Sequence, residues 1–328
     1  MMNMLPVYRF NAVVVVVLLL VLGMSACADG SQPPSTEVPR QERWGIYALD
    51  LESKAVELIY SSPNRITTVR LNAVGDRFVI SQNVGEGFDF AEIFTLGVDG
   101  QNLQRLTENE VWDLYPAWSP DGTQIVFLSW RDVGLDLYVM DADGNNPARL
   151  FDSGGHDADV HWVGDQIVFT SNNRIWIMND DGSNAVPITD PPQAGEWGEA
   201  NLPYGDYDPR LSPDGTRVAF ERMVDTSLPH GGYDLFVVDV DGANLIRLTH
   251  SGYAQGFPSW SHDGSQIVYV VSAIRGEGRY DLYLMKSDGN DNRNITPSWF
   301  PTEFLCHSAT FSWDDTAVYF IGEWWEED

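Results

Sequence analysis

The stretch Pro116-Ala-Trp-Ser-Pro-Asp-Gly-Thr-Gln-Ile-Val-Phe127 decides the fold, because its pattern returns six times along the chain. The turn at its centre is Ser119-Pro120-Asp121-Gly122, and it recurs as Ser212-Pro213-Asp214-Gly215 and Ser261-His262-Asp263-Gly264. Degenerate forms stand at Val74-Gly75-Asp76, Val163-Gly164-Asp165 and Ser312-Trp313-Asp314-Asp315. A second signal reads Asp99-Gly100, Asp143-Gly144, Asp181-Gly182, Asp241-Gly242 and Asp288-Gly289, and the stretch after Asp50 takes its place in the first copy. Asp-Gly between two apolar runs marks a hairpin, since glycine accepts the positive φ of a tight turn compatible with strands. Each copy therefore holds four strands. A repeat of about 45–50 residues with two turns and no helical period predicts propeller blades, so the expected fold is an all-β, six-bladed β-propeller with four-stranded blades.

The run after the first turn, such as Gln124-Ile-Val-Phe-Leu128 or Gln266-Ile-Val-Tyr-Val-Val271, is apolar at successive positions, as expected of a strand covered on both faces. Blades stacked face to face supply that cover. The order of parts predicts how the ring closes. The chain enters with the second half of a blade, Ile46–Asp50 then Val56–Ile59, and leaves with a first half, Thr310–Trp313 then Ala317–Ile321. One blade shared between the termini pairs edges that would otherwise invite aggregation.

A W-S-P-D-G turn followed by D-[IL]-[YF]-V-M-D and R-L-T resembles the propeller repeat of the TolB family of the bacterial envelope, and also propellers that precede the catalytic domain in some prolyl-oligopeptidase relatives. The resemblance is clearest at Trp118 to Leu150 and Asp234 to Thr249, and weakest in the first copy. It implies a protein or peptide ligand at the channel mouth. The α/β domain of TolB and the hydrolase domain of the oligopeptidases have no counterpart in this sequence, so a bare propeller is expected.

Residues 1–26 read as a lipoprotein signal peptide: Arg9 supplies a positive flank, Ala12 to Gly23 is an apolar run short for a membrane span, and Met24-Ser25-Ala26-Cys27 resembles a lipobox. Cys27 would carry the lipid. Residues 27–43 have the polar, proline-containing composition of a flexible tether, 44–324 form the propeller and 325–328 an acidic tail. The expected location is the periplasmic or extracellular face, with the membrane contacted through the lipid alone. Cys306 is the only other cysteine, so no internal disulfide is expected.

The formal net charge of −29 argues against nucleic acid and anionic lipid surfaces as partners, because a phosphate-binding face needs clustered Lys and Arg. There is no G-x-S-x-G elbow, P-loop, H-E-x-x-H or C-x-x-C, so nucleophilic hydrolysis, nucleotide binding and zinc chemistry have no motif to rest on. His262, standing where other copies have proline, reads as a structural turn residue.

The short Asp-Gly turns belong to one face of a propeller and the variable loops to the other, where function concentrates. The variable loops hold Trp112, Trp130, Arg131, Trp197, Tyr204, Tyr207, His230, Arg275, Arg279, Trp299 and Phe300, aromatic and arginine residues suited to a recognition surface. Packing of these residues on one another to cap the blades is the competing reading. Aligning innermost strands on Trp118, Trp162 and Leu211 places Asp113, Asp157 and Asp206 five residues earlier, and Tyr115, Asp159 and Asp208 three residues earlier. Carboxylates gathered this way repel, take up protons or share a cation such as calcium. His156 and His161 flank them. The expected function is non-catalytic binding of a protein or peptide in the cell envelope, with no cofactor required. The alternative is a calcium-dependent hydrolase, polysaccharide lyase or glycan binder that uses the acidic mouth, with His156 as base.

Overall fold

The computed structural model describes residues 40–85, 90–132, 134–155, 157–199, 202–227, 231–272 and 280–327. Cys27, His156, His230, Arg275 and Arg279, with the signal and most of the tether, lie outside the described residues.

Every regular element described is a strand. The chain opens with β1 (Arg40–Asp50) and β2 (Val56–Ser62), followed by β3 (Ile66–Leu71), β4 (Arg77–Val84), β5 (Phe90–Gly97) and β6 (Gln104–Arg105). Next come β7 (Asp113–Trp118), β8 (Gln124–Ser129), β9 (Asp136–Asp141) and β10 (Ala148–Phe151), then β11 (Asp157–Val163), β12 (Gln166–Ser171), β13 (Arg174–Asn179) and β14 (Val186–Pro187). The second half holds β15 (Asp206–Leu211), β16 (Arg217–Asp225), β17 (Gly232–Asp239) and β18 (Ile246–Arg247), then β19 (Ala254–Trp260), β20 (Gln266–Ser272), β21 (Tyr280–Lys286) and β22 (Arg293–Asn294). It ends with β23 (Leu305–Phe311) and β24 (Ala317–Glu327).

Three sheets are four-stranded antiparallel meanders: β3 to β6, β7 to β10 and β11 to β14. The meanders β15 to β18 and β19 to β22 touch through one parallel pair, Tyr233↔Ala254, which merges them into an eight-stranded sheet. The remaining sheet has the order β2-β1-β24-β23, with β1 and β24 paired from Arg40↔Glu327 to Asp50↔Ala317. Strand structure thus reaches beyond the expected limits of 44 and 324 at both ends. The reason is mutual: the tether-side residues and the acidic tail are each other's partners.

The repeated motifs have local causes. In the first turn Asp121 accepts from the Ser119 hydroxyl and the Thr123 amide, Ser119 in turn accepts from the Gln124 amide, and Gly122 takes φ 70°. The same bonds recur at Asp214, Asp263 and Asp314. In the R-L-T segments and their Pro-Ile-Thr and Asn-Ile-Thr forms, Thr107, Thr189, Thr249 and Thr296 each accept a backbone N–H of the third strand of their sheet, from Ile93, Ile175, Leu235 and Leu282, at 2.7–2.9 Å. The arginine of that motif pairs with the acid beside this N–H, as Arg105 does with Glu92 and Arg247 with Asp234. Glycine in the second turn is required twice over. Gly100 has φ 76°, and a Cβ there would stand 2.0 Å from the Ile59 carbonyl oxygen of the neighbouring sheet.

Between sheets the core is aromatic. Ile80, Phe127, Phe169, Phe220, Tyr269 and Phe320 occupy the same place in successive second strands, and all are buried. Each such side chain contributes roughly 1.5–3 kcal/mol by leaving water. The six first strands β3, β7, β11, β15, β19 and β23 all border one central channel.

Candidate functional site

A first strand carries one β-bulge, visible as a register shift against the second strand in all six cases. In five of them the bulge holds a non-glycine residue with positive φ: Tyr115, Asp159, Asp208, Phe257 and Ser308. Such backbone costs about 1–3 kcal/mol per residue and persists only where its surroundings hold it. Here the bulge breaks the two-residue alternation of the strand. Residues five and three positions before Trp118, Trp162 and Leu211 therefore do not share a destination, and the five aspartates expected to converge do not.

Asp113, Asp157 and Asp206 each close a knot within their own sheet. Asp113 accepts from Ser129 at 2.5 Å and from Asn109 and Arg131 at 2.8 and 2.9 Å. Asp206 accepts from Arg222 through both oxygens, at 2.5 and 2.7 Å. Burial pushes its carboxyl up and Arg222 opposes that rise. Asp157 accepts from Ser153 at 2.6 Å, its other oxygen has no partner, and burial pushes its carboxyl up to about 6.

Asp159 and Asp208 do come together. Asp159 accepts the Asp208 N–H at 3.3 Å, and Asp208 pairs with Arg210 at 2.6 Å. Burial and the neighbouring Asp208 raise the Asp159 carboxyl. A third acid, Glu221 of β16, sits close enough that burial, Asp208 and Asp159 raise it well above the usual range. Its place depends on Gly256, where a Cβ would stand 1.8 Å from the carboxylate. Two arginines face these acids, so the centre is a mixed charge network. Among the described residues no group of three or more His, Cys, Asp or Glu is arranged to hold a metal ion. The expected calcium ligands thus separate into three knots and one arginine-bound pair.

Of the expected recognition residues on described loops, two are mostly exposed: Trp197 at 52% and Trp299 at 66%. Tyr253, on the loop before β19, joins them at 53%. Tyr207 and Phe300 are buried instead, because the Tyr207 hydroxyl donates to the Pro203 carbonyl at 2.8 Å and Phe300 packs on Phe304 and Phe320. Trp112 and Trp130 meet edge to face at 6.2 Å, and Tyr204 joins the buried cluster around Leu202. Arg131 lies over Phe127 and Tyr138 while it holds Asp113. These four are half-buried capping residues. His262 is a turn residue as expected, and it also joins turns of neighbouring sheets, with Nδ1 3.0 Å from Asp315 and its ring against Trp313.

At the turn end of the channel lies a cavity of about 270 Å³. Arg70, His161 and Arg210 line it, one residue before Leu71, Trp162 and Leu211 on their innermost strands. The alignment on Trp118, Trp162 and Leu211, read one residue back, finds His161 and Arg210; only its extension to Leu71 of β3 finds Arg70.

The first strands around a shared channel and the four-stranded antiparallel meanders define a β-propeller. An uncharacterized protein of Agrobacterium fabrum is 30% identical over 209 residues, 60% of this chain and 66% of that protein. The TolB homolog of Chlorobium luteolum is 27% identical over 181 residues, 54% of this chain and 37% of that protein. A solved TolB structure from Agrobacterium tumefaciens superposes with a TM-score of 0.65 at 16% identity, covering 86% of this chain and 99% of that one. No family model matches the chain. The chain is thus similar in sequence and in fold to TolB-type propeller proteins. It spans 66% and 37% of the length of the two curated relatives named.

Proposed function

We propose that this chain is a six-bladed propeller, closed by the sheet that β1 and β2 share with β23 and β24, which docks a protein or peptide of the cell envelope on its loop face and catalyses no reaction. A lipid on Cys27 holds it at the membrane. The observation that carries the docking reading is the exposure of Trp197, Tyr253 and Trp299 on loops of that one face. Large aromatic side chains left in water on otherwise polar loops mark contact surfaces, since they become anchors when a partner desolvates them. Similarity to TolB-type proteins supports a protein as that partner. Docking of this kind needs no cofactor.

A photocrosslinking residue placed at position 197 or 299 in cells should yield a discrete protein adduct, and one at Ile246, exposed on an outer strand, should not. Equal adducts at all three positions, or none at the loop positions, would sink the reading. Cys27→Ser should move the protein from the membrane to the soluble fraction. If the substituted protein stays with the membrane, the lipid anchor is wrong.

A further inference from the structure

The cavity at the turn end of the channel has a composition opposite to that of the chain around it. The protein has a formal net charge of −29, yet no Asp or Glu lines this cavity. Arg70 and Arg210 do, from strands β3 and β15, with His161 from β11.

Their hydrogen bonding leaves donors over. Arg70 gives one nitrogen to the Val69 carbonyl at 2.8 Å and to the Ser308 hydroxyl at 2.9 Å, and no carboxylate of the described residues forms an ion pair with it. Burial, followed by the charge of Arg210, pulls its guanidinium down to about 9 against the attraction of Asp208 and Asp159. Arg210 is 3% exposed and holds Asp208 through one terminal nitrogen and the Pro209 carbonyl through the other, at 2.7 Å, but its Nε has no partner. Trp118 is 7% exposed and its Nε1 is also unpartnered. His161 accepts the Leu211 N–H at Nδ1, 3.1 Å away, and burial beside Arg210 and Arg70 keeps the ring neutral. Its proton therefore sits on Nε2, which makes that atom another donor.

A buried donor without an acceptor costs about 1–3 kcal/mol, and a charged one costs more. Here the unused donors come from four strands, β3, β7, β11 and β15, around one space, and Trp162, Trp260 and Trp313 are among its other lining residues. A planar acceptor with negative charge satisfies guanidinium groups two bonds at a time, while apolar or aromatic substance beside it lies against tryptophan. The volume of about 270 Å³ admits one small acid or one terminal residue of a peptide.

The geometry points to a carboxylate-binding site at the turn end of the channel, with Arg70 as its principal anchor and the tryptophans holding the group that bears the carboxylate. This site is separate from the loop face and stands whether or not a protein docks there.

Titration of the purified chain with phenylacetate, followed by intrinsic tryptophan fluorescence and by melting temperature, tests the assignment. A pentapeptide ending in phenylalanine provides the second arm, with a free or an amidated terminus. Binding of phenylacetate, of the free-acid peptide or of both supports the site, and the pattern tells a small acid from a peptide terminus. Arg70→Gln should weaken that binding about 10–100-fold, the effect of losing a charged hydrogen-bond pair. Because Arg70 is in no direct ion pair, the variant should melt close to the parent temperature without ligand, which keeps loss of binding distinct from loss of fold. Trp313→Ala, at an exposed position on the rim, should weaken binding less, and Asp241→Asn on an outer turn should leave it unchanged. Failure of every carboxylate to bind, equal binding of the amide forms, or undiminished binding by Arg70→Gln would overturn the proposal.

Discussion

The two ends of the channel are built from the same six strands, yet they treat charge differently. Toward the loop face each buried carboxylate that meets a cation meets it directly, as Asp206 meets Arg222 and Asp113 meets Arg131. Toward the turn face the pairing is looser: Arg70 feels Asp208 and Asp159 without a direct ion pair, and Arg210 keeps an unpartnered Nε beside its bond to Asp208. The difference separates charge that holds the protein together from charge held ready for something else. A paired buried ion is structural, because removing one partner strands the other.

The comparison is most exposed to failure at Arg222. Arg222→Ala should cost about 3–5 kcal/mol in chemical denaturation, since it leaves Asp206 buried without its cation. The same measurement on Arg70→Gln should stay within about 1 kcal/mol of the parent. Similar losses in both would show that the two ends do not differ.

A pH series sharpens the account of the loop end. Asp157 has an ordinary value of 3.8 and is held up to about 6 by burial. Between those values the native state carries more protons than the unfolded state, so its stability contribution is fully present below pH 4 and is lost as the pH rises through 6. The stability difference between the parent and Asp157→Asn should therefore change by roughly 2–3 kcal/mol from pH 4 to pH 7. A difference that stays flat would mean the carboxyl is not held protonated.

The smallest expected effect concerns calcium. With Asp208 held by Arg210, and Asp113 and Asp206 held by their own arginines, added calcium should leave the melting temperature of chelator-treated protein unchanged. A rise in calorimetry that Asp159→Asn abolishes would restore a metal to the channel.

Much of this molecule could be read from its sequence, for reasons that are local. The Ser-Pro-Asp-Gly and Asp-Gly turns carry their own hydrogen bonds, so each copy declares its hairpins without help from distant residues. The pairing of β1 with β24 followed from the order of half-repeats. Side-chain destinations on the first strands did not. Alternation places Asp157 and Asp159 on one face, and the bulge at Asp159 undoes that; nothing local marks a left-handed aspartate. The loop aromatics raised a similar difficulty. Phe300 and Trp299 are neighbours in sequence with opposite burial, and only the approach of Phe304 and Phe320 from elsewhere decides between them. Arg70 and Arg210 stood at equivalent positions three repeats apart, a correspondence that shows only when the residue before the aligned one is compared.

The pairing of β1 with β24 also sets how the protein would respond to force. Arg40 lies opposite Glu327, so the outer ends of the two strands leave the sheet side by side. Tension between them loads one residue pair at a time, and a ladder of individually modest hydrogen bonds opens like a zip instead of resisting as a unit. Tension between Arg40 and a partner seated on the loop face pulls on β1 alone, and β24 stays held by β23 on its other side. Mechanically, then, the seam that joins the two ends of the chain is the designated point of yield, and a load along the chain would open it before any meander.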